Sequence, residues 1–329
     1  MMTPTLIGLL MFGGMLLLMG LCVPIAAAMF IPGALGYMAI SGDVAMLNLL
    51  KGSAVARLTV YELSVIPLFL LMGQFATQGG LSRDLFRAAA AFVGHIRGGL
   101  SMAAIMSAAV FGAVCGSSVA TSATITQVAY PEMKANGYHG RLSTATLAAG
   151  GTLGILIPPS VPLVASVENS AMVFMIFLGA DMMNASLALT EMPARIADWV
   201  THLAISPLLV VSAVLVLYVV LGCVMDELSM LLLTIPVIFP AIMGLDLWGL
   251  EKDMKAIWFG ILVLMTAGIG LIAPPVGLKV YVVNNLARDV PMSETYKGVF
   301  PFLAWDALRV VLLLLFPGIS LWLVTVLFK

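Results

Sequence analysis

Long stretches of this chain carry no charged side chain: Met1 to Gly42, Leu203 to Met225 and Val310 to Phe328 are uncharged throughout. A helix crosses the hydrocarbon core of a bilayer in about 20 residues, so runs of this length read as crossings. Lipid offers no partner for unpaired backbone, and such runs therefore close their hydrogen bonds internally, as helices. Composition agrees, since 62% hydrophobic and 9% charged residues leave too little polar surface for a water-soluble domain. The expectation is an all-α integral membrane protein with multiple transmembrane helices in a lipid bilayer. The N-terminal run lacks the basic start of a signal peptide and stays apolar past Met29, so it is expected to be retained as membrane-spanning structure.

A formal net charge of −1 provides no basic patch and excludes nucleic acid as a partner. Cys22, Cys115 and Cys223 lack metal-ligand spacing and read as buried free thiols. His95, His139 and His202 are far apart in sequence, so no transition-metal site is expected. No Ser-His, Cys-His or paired-carboxylate spacing points to an enzyme.

Short polar punctuation divides the chain into N-terminal transmembrane helices over 1–81, an interfacial amphipathic helix over 82–98, a first hairpin repeat over 99–165, a transmembrane connector over 166–202, a second hairpin repeat over 203–290, and a C-terminal interfacial segment with a transmembrane helix over 291–329. In the 82–98 segment Leu85, Phe86, Ala89 and Phe92 recur at helical spacing opposite Arg83, Arg87 and Arg97. That pattern fits either an interfacial helix, cytoplasmic by the positive-inside rule, or a solvated loop helix.

An internal repeat relates 112–164 to 222–283. Each copy opens with a glycine and a short apolar run, Gly112-Ala113-Val114 or Gly222-Cys223-Val224, and reaches a proline, Pro131 or Pro240, at nearly the same distance. Each closes on a double proline: Leu153-Gly154-Ile155-Leu156-Ile157-Pro158-Pro159 matches Ile269-Gly270-Leu271-Ile272-Ala273-Pro274-Pro275. Two consecutive prolines remove two backbone donors and push the preceding residue out of helical geometry, leaving carbonyls without intrahelical partners. In a membrane such breaks belong where backbone is buried or lines a wet cavity, and paired breaks in two halves point to a transport site; simple proline kinks are the alternative.

Between the apolar stretches before Cys115 and after Ser122 lies Gly116-Ser117-Ser118-Val119-Ala120-Thr121-Ser122. Small side chains let backbone approach an ion, and hydroxyls and free carbonyls are hard oxygen ligands; a small-residue packing face is the other reading. Its counterpart in the second half is Thr266-Ala267-Gly268-Ile269-Gly270, followed by Ala273-Pro274-Pro275. Ionisable residues at apparent membrane depth are Asp181, Asp226, Glu227 and Lys279, with Asp306 near an end, each costly unless paired. Asp226 and Glu227 sit either in the membrane or at a wet helix end. Lys279 either attracts an anionic substrate or snorkels to the interface.

In order along the chain, IPLFLLMGQFATQGGLS (Ile66 to Ser82), FGAVCGSSVATSAT, YPEMKANGY, GTLGILIPPSVP, LGCVMDELSMLLLTIPVIFP, WFGILVLMTAGIGLIAPPVGL and GVFPFLAWDALRV resemble the DctM-like large membrane subunit of tripartite ATP-independent periplasmic (TRAP) transporters. The resemblance covers most of the chain. It implies an elevator-type importer with two re-entrant helical hairpins in an inverted repeat, no cofactor, and sodium as the coupling ion. Its implied partners are a small four-helix membrane subunit and a periplasmic substrate-binding protein, its cargo a small organic anion, and its place the bacterial inner membrane. The implied sodium and substrate region comprises Cys115, Gly116, Ser117, Ser118, Gly154, Ile157 and Pro158 in one half and Thr266, Gly268, Gly270, Ala273 and Pro274 in the other, with Asp226 and Lys279 as charged contributors.

The chain departs from that family where Cys115 replaces a common serine, Ala273 a common threonine and Lys279 a frequent asparagine. After the first IPPS motif it also passes, near Val164 to Val167, directly to a segment that resembles the family only much later. The omission is on the order of a hundred residues, or several crossings at about 20 residues each. Two other readings follow: a stand-alone sodium/dicarboxylate elevator carrier, and a transport-inactive scaffold.

Overall fold

The computed structural model describes residues 3–21, 23–59, 75–76, 78–115, 118–153, 167–195, 198, 206–223, 225 and 227–327. Regular structure among them is helical: α1 (Pro4–Gly20), α2 (Ile25–Ser41), α3 (Asp43–Thr59), α4 (Leu81–Val93), α5 (Gly99–Cys115), α6 (Ser118–Ala135), α7 (Gly140–Gly150), α8 (Val167–Leu189), α9 (Pro207–Gly222), α10 (Glu227–Met243), α11 (Lys252–Gly270), α12 (Leu278–Leu286), α13 (Met292–Leu315) and α14 (Pro317–Leu327). Of these, α11 and α13 are long and apolar enough to cross a membrane, whereas α1, α2, α5 and α9 are apolar but shorter.

The chain divides into two compact units, one of Met1–Val65, Val167–Val214 and Leu228–Ala256, the other of Ile66–Ser166, Leu215–Glu227 and Ile257–Lys329. In the first unit α2 lies against α8 with small residues at the contact. A Cβ on Gly33 would stand 2.7 Å from Met183 N, and one on Gly179 would stand 2.6 Å from Ala26 O. The backbones meet directly, as helices in lipid do where small residues face each other. Ser186 Oγ donates to Gly33 O at 2.5 Å across the same seam. At the C-terminal end of α10, Lys255 Nζ donates to Leu245 O at 2.5 Å, a cation placed where unpaired carbonyls and the helix dipole favour one.

The second unit is organised around α5, α6 and α7, whose core includes Phe111, Ile125, Met133 and Leu147, extended by Phe86 of α4 and Val283 of α12. The amphipathic segment is a helix that buries Phe86 and Ala89 and exposes Arg83 and Arg87. Phe92, grouped by spacing with the apolar face, is 75% exposed.

The uncharged run Val310 to Phe328 is not one helix: one helix ends at Leu315 and the next starts at Pro317. Pro317 starts a new helix, a position its fixed φ suits, and it leaves Phe316 non-helical at φ −124 and ψ 76. The long helix begins instead at Met292 and takes in charges expected for an interfacial segment, with Asp306 and Arg309 joined at 2.8 Å one turn apart.

Prolines in this unit expose carbonyls that other helices then serve. Pro301 cannot donate to Lys297 O, and Arg141 Nη2 of α7 does so at 2.9 Å. Pro317 cannot donate to Leu313 O, and the buried Trp258 Nε1 of α11 does so at 2.9 Å. Trp258→Phe keeps most of the ring and orphans that carbonyl, so it is expected to cost about 1–3 kcal/mol, measurable by denaturant titration of the detergent-solubilised protein.

Candidate functional site

The two halves of the repeat run in the same order. In the first, α5 ends at Cys115 and α6 starts at Ser118; in the second, α9 ends at Gly222 and α10 starts at Glu227. The following helix in each half, α7 or α11, ends on a glycine, Gly150 or Gly270.

At the start of α6 the side chains of Ser118, Thr121 and Ser122 are buried, as is Thr146 on the adjoining α7. The hydroxyls of Thr121, Ser122 and Thr146 have no hydrogen-bond partner. A buried polar group left without one forfeits about 1–3 kcal/mol, so these three hydroxyls, on the adjoining helices α6 and α7, are candidate ligand contacts. Gly151 permits the approach, because a Cβ there would collide with Ser122 Oγ. Hard, uncharged oxygens of this kind suit a small cation. Thr121 and Ser122 belonged to the hydroxyl-rich stretch legible in sequence; Thr146, in the run Ser143-Thr144-Ala145-Thr146 of α7, is not singled out by the sequence.

The second break, Leu271 to Gly277, contains a cis Pro274-Pro275 peptide and turns into α12 through Gly277 at φ +52, a conformation open to glycine without a Cβ penalty. Several of the carbonyls there find donors. Lys279 N donates to Leu271 O at 3.1 Å, the carbonyl Pro275 cannot serve, and Ala273 N donates to Gly270 O at 3.2 Å. Cys223 Sγ reaches Pro274 O at 3.5 Å, and Tyr296 Oη donates to Val276 O at 2.7 Å. Several carbonyls of the second break are thus served by protein donors, whereas the buried hydroxyls of Thr121, Ser122 and Thr146 are not; the first double proline lies outside the described residues.

Beside the second break lies a crevice of ≈ 10 Å³, lined by Thr152, Glu227, Leu264, Met265, Gly268, Ile269, Asp306 and Arg309, about the room one water needs. A Cβ on Gly268 would stand 3.9 Å from both Glu227 Oε1 and the Thr152 side chain, so residues of both halves converge there. Lys279 does not snorkel. It is fully buried, with Nζ 3.8 Å from Glu227 Oε1, because the Lys279 to Leu271 backbone bond turns the start of α12 inward.

Of the expected site residues, Thr266 is buried and donates to Leu262 O at 2.9 Å, Ala273 is buried, and Pro274 is exposed. Gly270 packs backbone to backbone against Gly222, and Cys115 closes α5 half-buried. Gly116, Ser117, Gly154, Ile157, Pro158 and Asp226 lie outside the described residues. Asp181, half-buried on α8, belongs to the first unit.

Outside the helices, Asp289 in the turn between α12 and α13 accepts from Lys134 Nζ and Tyr130 Oη, each at 2.7 Å. The Lys134 bond first, and the Tyr130 bond with it, hold the Asp289 carboxyl below its usual range. A carboxyl lowered in the folded state stabilises fully above its unfolded pKa of about 3.9 and loses that contribution as pH falls through the folded value. Both partners are about half exposed, which limits the pair to about 0.2–1 kcal/mol. Asp289→Asn is expected to remove this part of the acid-side loss of thermal stability while leaving the profile near pH 7 to 8 parallel to wild type, checked by melting curves from pH 3 to 8.

The profile of the DctM component of the tripartite ATP-independent periplasmic transporters matches residues 12–168 and 162–319. The chain is 26% identical to the C4-dicarboxylate TRAP transporter large permease protein DctM of Pseudomonas aeruginosa over 373 aligned positions, which take in 79% of this chain and 86% of that protein. It is 41% identical to the DctM protein of Rhodobacter capsulatus over 114 residues, 34% of this chain and 26% of that one. With the sialic acid TRAP transporter large permease protein SiaM of Vibrio cholerae the identity is 20%, over 79% of this chain and 86% of that protein. The Pseudomonas alignment is longer than the 329-residue chain, so that relative holds residues without a counterpart here. The two profile matches meet at 162–168, where the sequence resemblance also jumps. Matched over nearly its whole length and in the order of its motifs, the chain belongs to the DctM family of TRAP transporter large permeases.

Proposed function

We propose that this chain is the membrane-embedded permease of a sodium-coupled importer of small organic acids, working in a bacterial inner membrane with a small four-helix membrane subunit and a periplasmic substrate-binding protein. C4-dicarboxylates are the cargo named for the Pseudomonas and Rhodobacter relatives. The observation that carries the sodium assignment is the set of buried, unpartnered hydroxyls of Thr121, Ser122 and Thr146, which fits a small hard cation. The sodium and substrate region would extend from these through Cys115 to Ser118 and Gly154 to Pro158 in the first half, and through Thr266 to Pro274 in the second. Movement of this region as an elevator, with the two breaks as re-entrant hairpins, belongs to the same reading.

The test is uptake of radiolabelled succinate into proteoliposomes holding the chain and its small subunit, with and without the binding protein and an inward sodium gradient. Uptake that needs both supports the reading, and Thr121→Val with Ser122→Ala should raise the sodium concentration for half-maximal rate at least tenfold. Uptake without the binding protein would favour a stand-alone carrier. The residues the chain lacks relative to the Pseudomonas protein favour one further outcome, a transport-inactive scaffold. An assembled complex that never transports, beside an active full-length relative, would establish it.

A further inference from the structure

Lys279 is placed where an ammonium gains little for itself. It is fully buried, its Nζ makes no hydrogen bond, and it occupies the second position of α12, where the positive end of the helix dipole opposes a cation. What it supplies is charge. Glu227 stands 3.8 Å away at the first position of α10, and Asp306, within electrostatic reach, lines the same crevice as Glu227. Arg309 is engaged by Asp306 at 2.8 Å. The four charges sum to zero only while Lys279 carries its proton, and buried carboxylates without a counter-cation are costly.

A carboxylate substrate does not fit as the missing partner of that ammonium. The crevice has room for about one water, and its charged lining, Glu227, Asp306 and Arg309, holds two carboxylates against one guanidinium, which disfavours an anion. Backbone at the break has less to offer a free metal ion, since the Leu271, Pro274 and Val276 carbonyls already accept from Lys279, Cys223 and Tyr296.

We propose that Lys279 is a resident cation: its ammonium, held against Glu227, fills the position at the second break that a bound metal cation would otherwise take. This half of the site then binds none, and ion coupling falls to the hydroxyls of Thr121, Ser122 and Thr146. The inference rests on the sodium-coupled reading for its meaning in transport, while the charge substitution itself can be tested without transport.

The experiment compares melting of the full chain in detergent across a sodium chloride series, with choline chloride holding ionic strength constant, for wild type, Lys279→Gln and the double variant Glu227→Gln/Lys279→Gln. Lys279→Gln is expected to gain a saturable, sodium-selective rise in Tm on the order of 5 °C beyond any shift of wild type. The double variant should lose that gain, because no carboxylate is left to compensate. If Lys279→Gln is recovered folded only when extracted in sodium, that too supports the proposal. A Lys279→Gln protein no more sensitive to sodium than wild type, or one that sodium cannot recover, overturns it and leaves a purely structural ion pair. The wild-type shift reports separately on the hydroxyl set: its absence, with a gain in Lys279→Gln, would sink the sodium-coupled reading and leave the resident cation standing.

Discussion

Glu227→Gln is expected to be among the most damaging conservative substitutions in the chain, lowering stability by about 3–5 kcal/mol, the cost of breaking a buried ion pair on one side. The size follows from burial: Lys279 is 0% and Glu227 7% exposed at the pair, so the stranded ammonium has no water to turn to. Sodium offers no relief, since the excess charge is positive. Lys279→Gln strands a carboxylate instead, which sodium can compensate. The two variants, equal in the charge they remove, should therefore differ in their response to sodium, and the double variant should be milder than Glu227→Gln. Steep-transition denaturant titrations in sodium and in choline measure all three; a Glu227→Gln protein as stable as wild type would show that the pair is not formed.

Gly270→Ala should be nearly as costly, for a steric reason. An added Cβ would stand 2.6 Å from Gly222 Cα, 2.7 Å from Gly222 C and 2.7 Å from Val219 O. All three are backbone atoms of α9, so no side chain can swing aside, and α9 and α11 must separate at the end that positions the second break. About 3 kcal/mol is the expected loss, at the upper end for overpacking. Gly260→Ala on the same helix is the control. Nothing lies within 4 Å of a Cβ there, and alanine is the better helix former by about 1 kcal/mol, so that variant should match or exceed wild type. Equal melting of the two alanine variants would refute the close approach.

The repeat shows how far pattern alone reaches. Glycine, apolar run, proline and double proline recur at matched spacing, and in the second half they locate the break after Gly270 because backbone chemistry is local: a proline removes a donor wherever it stands. Which donors replace those lost is not local. Trp258 serving Leu313 and Arg141 serving Lys297 join residues 55 and 156 positions apart, and no spacing rule reaches that far. The run Val310 to Phe328 misleads for a related reason, because an absence of charge says nothing about where Pro317 divides it, nor that paired Asp306 and Arg309 can ride on an otherwise apolar helix.

By itself the sequence determined that the chain is helical and apolar and where the break at Pro274-Pro275 falls, since these follow from composition and backbone restriction within a few residues, while its ordered motifs carried the resemblance to its family. Tertiary structure decided the rest. It turned Lys279 inward against Glu227, gave Gly270 a packing role beside Gly222, left the hydroxyls of Thr121, Ser122 and Thr146 without partners, supplied donors to the Leu271, Pro274 and Val276 carbonyls, and brought Thr152 to Gly268. Each outcome depends on which distant group fills the remaining space and charge, and burial makes that choice only when the helices pack.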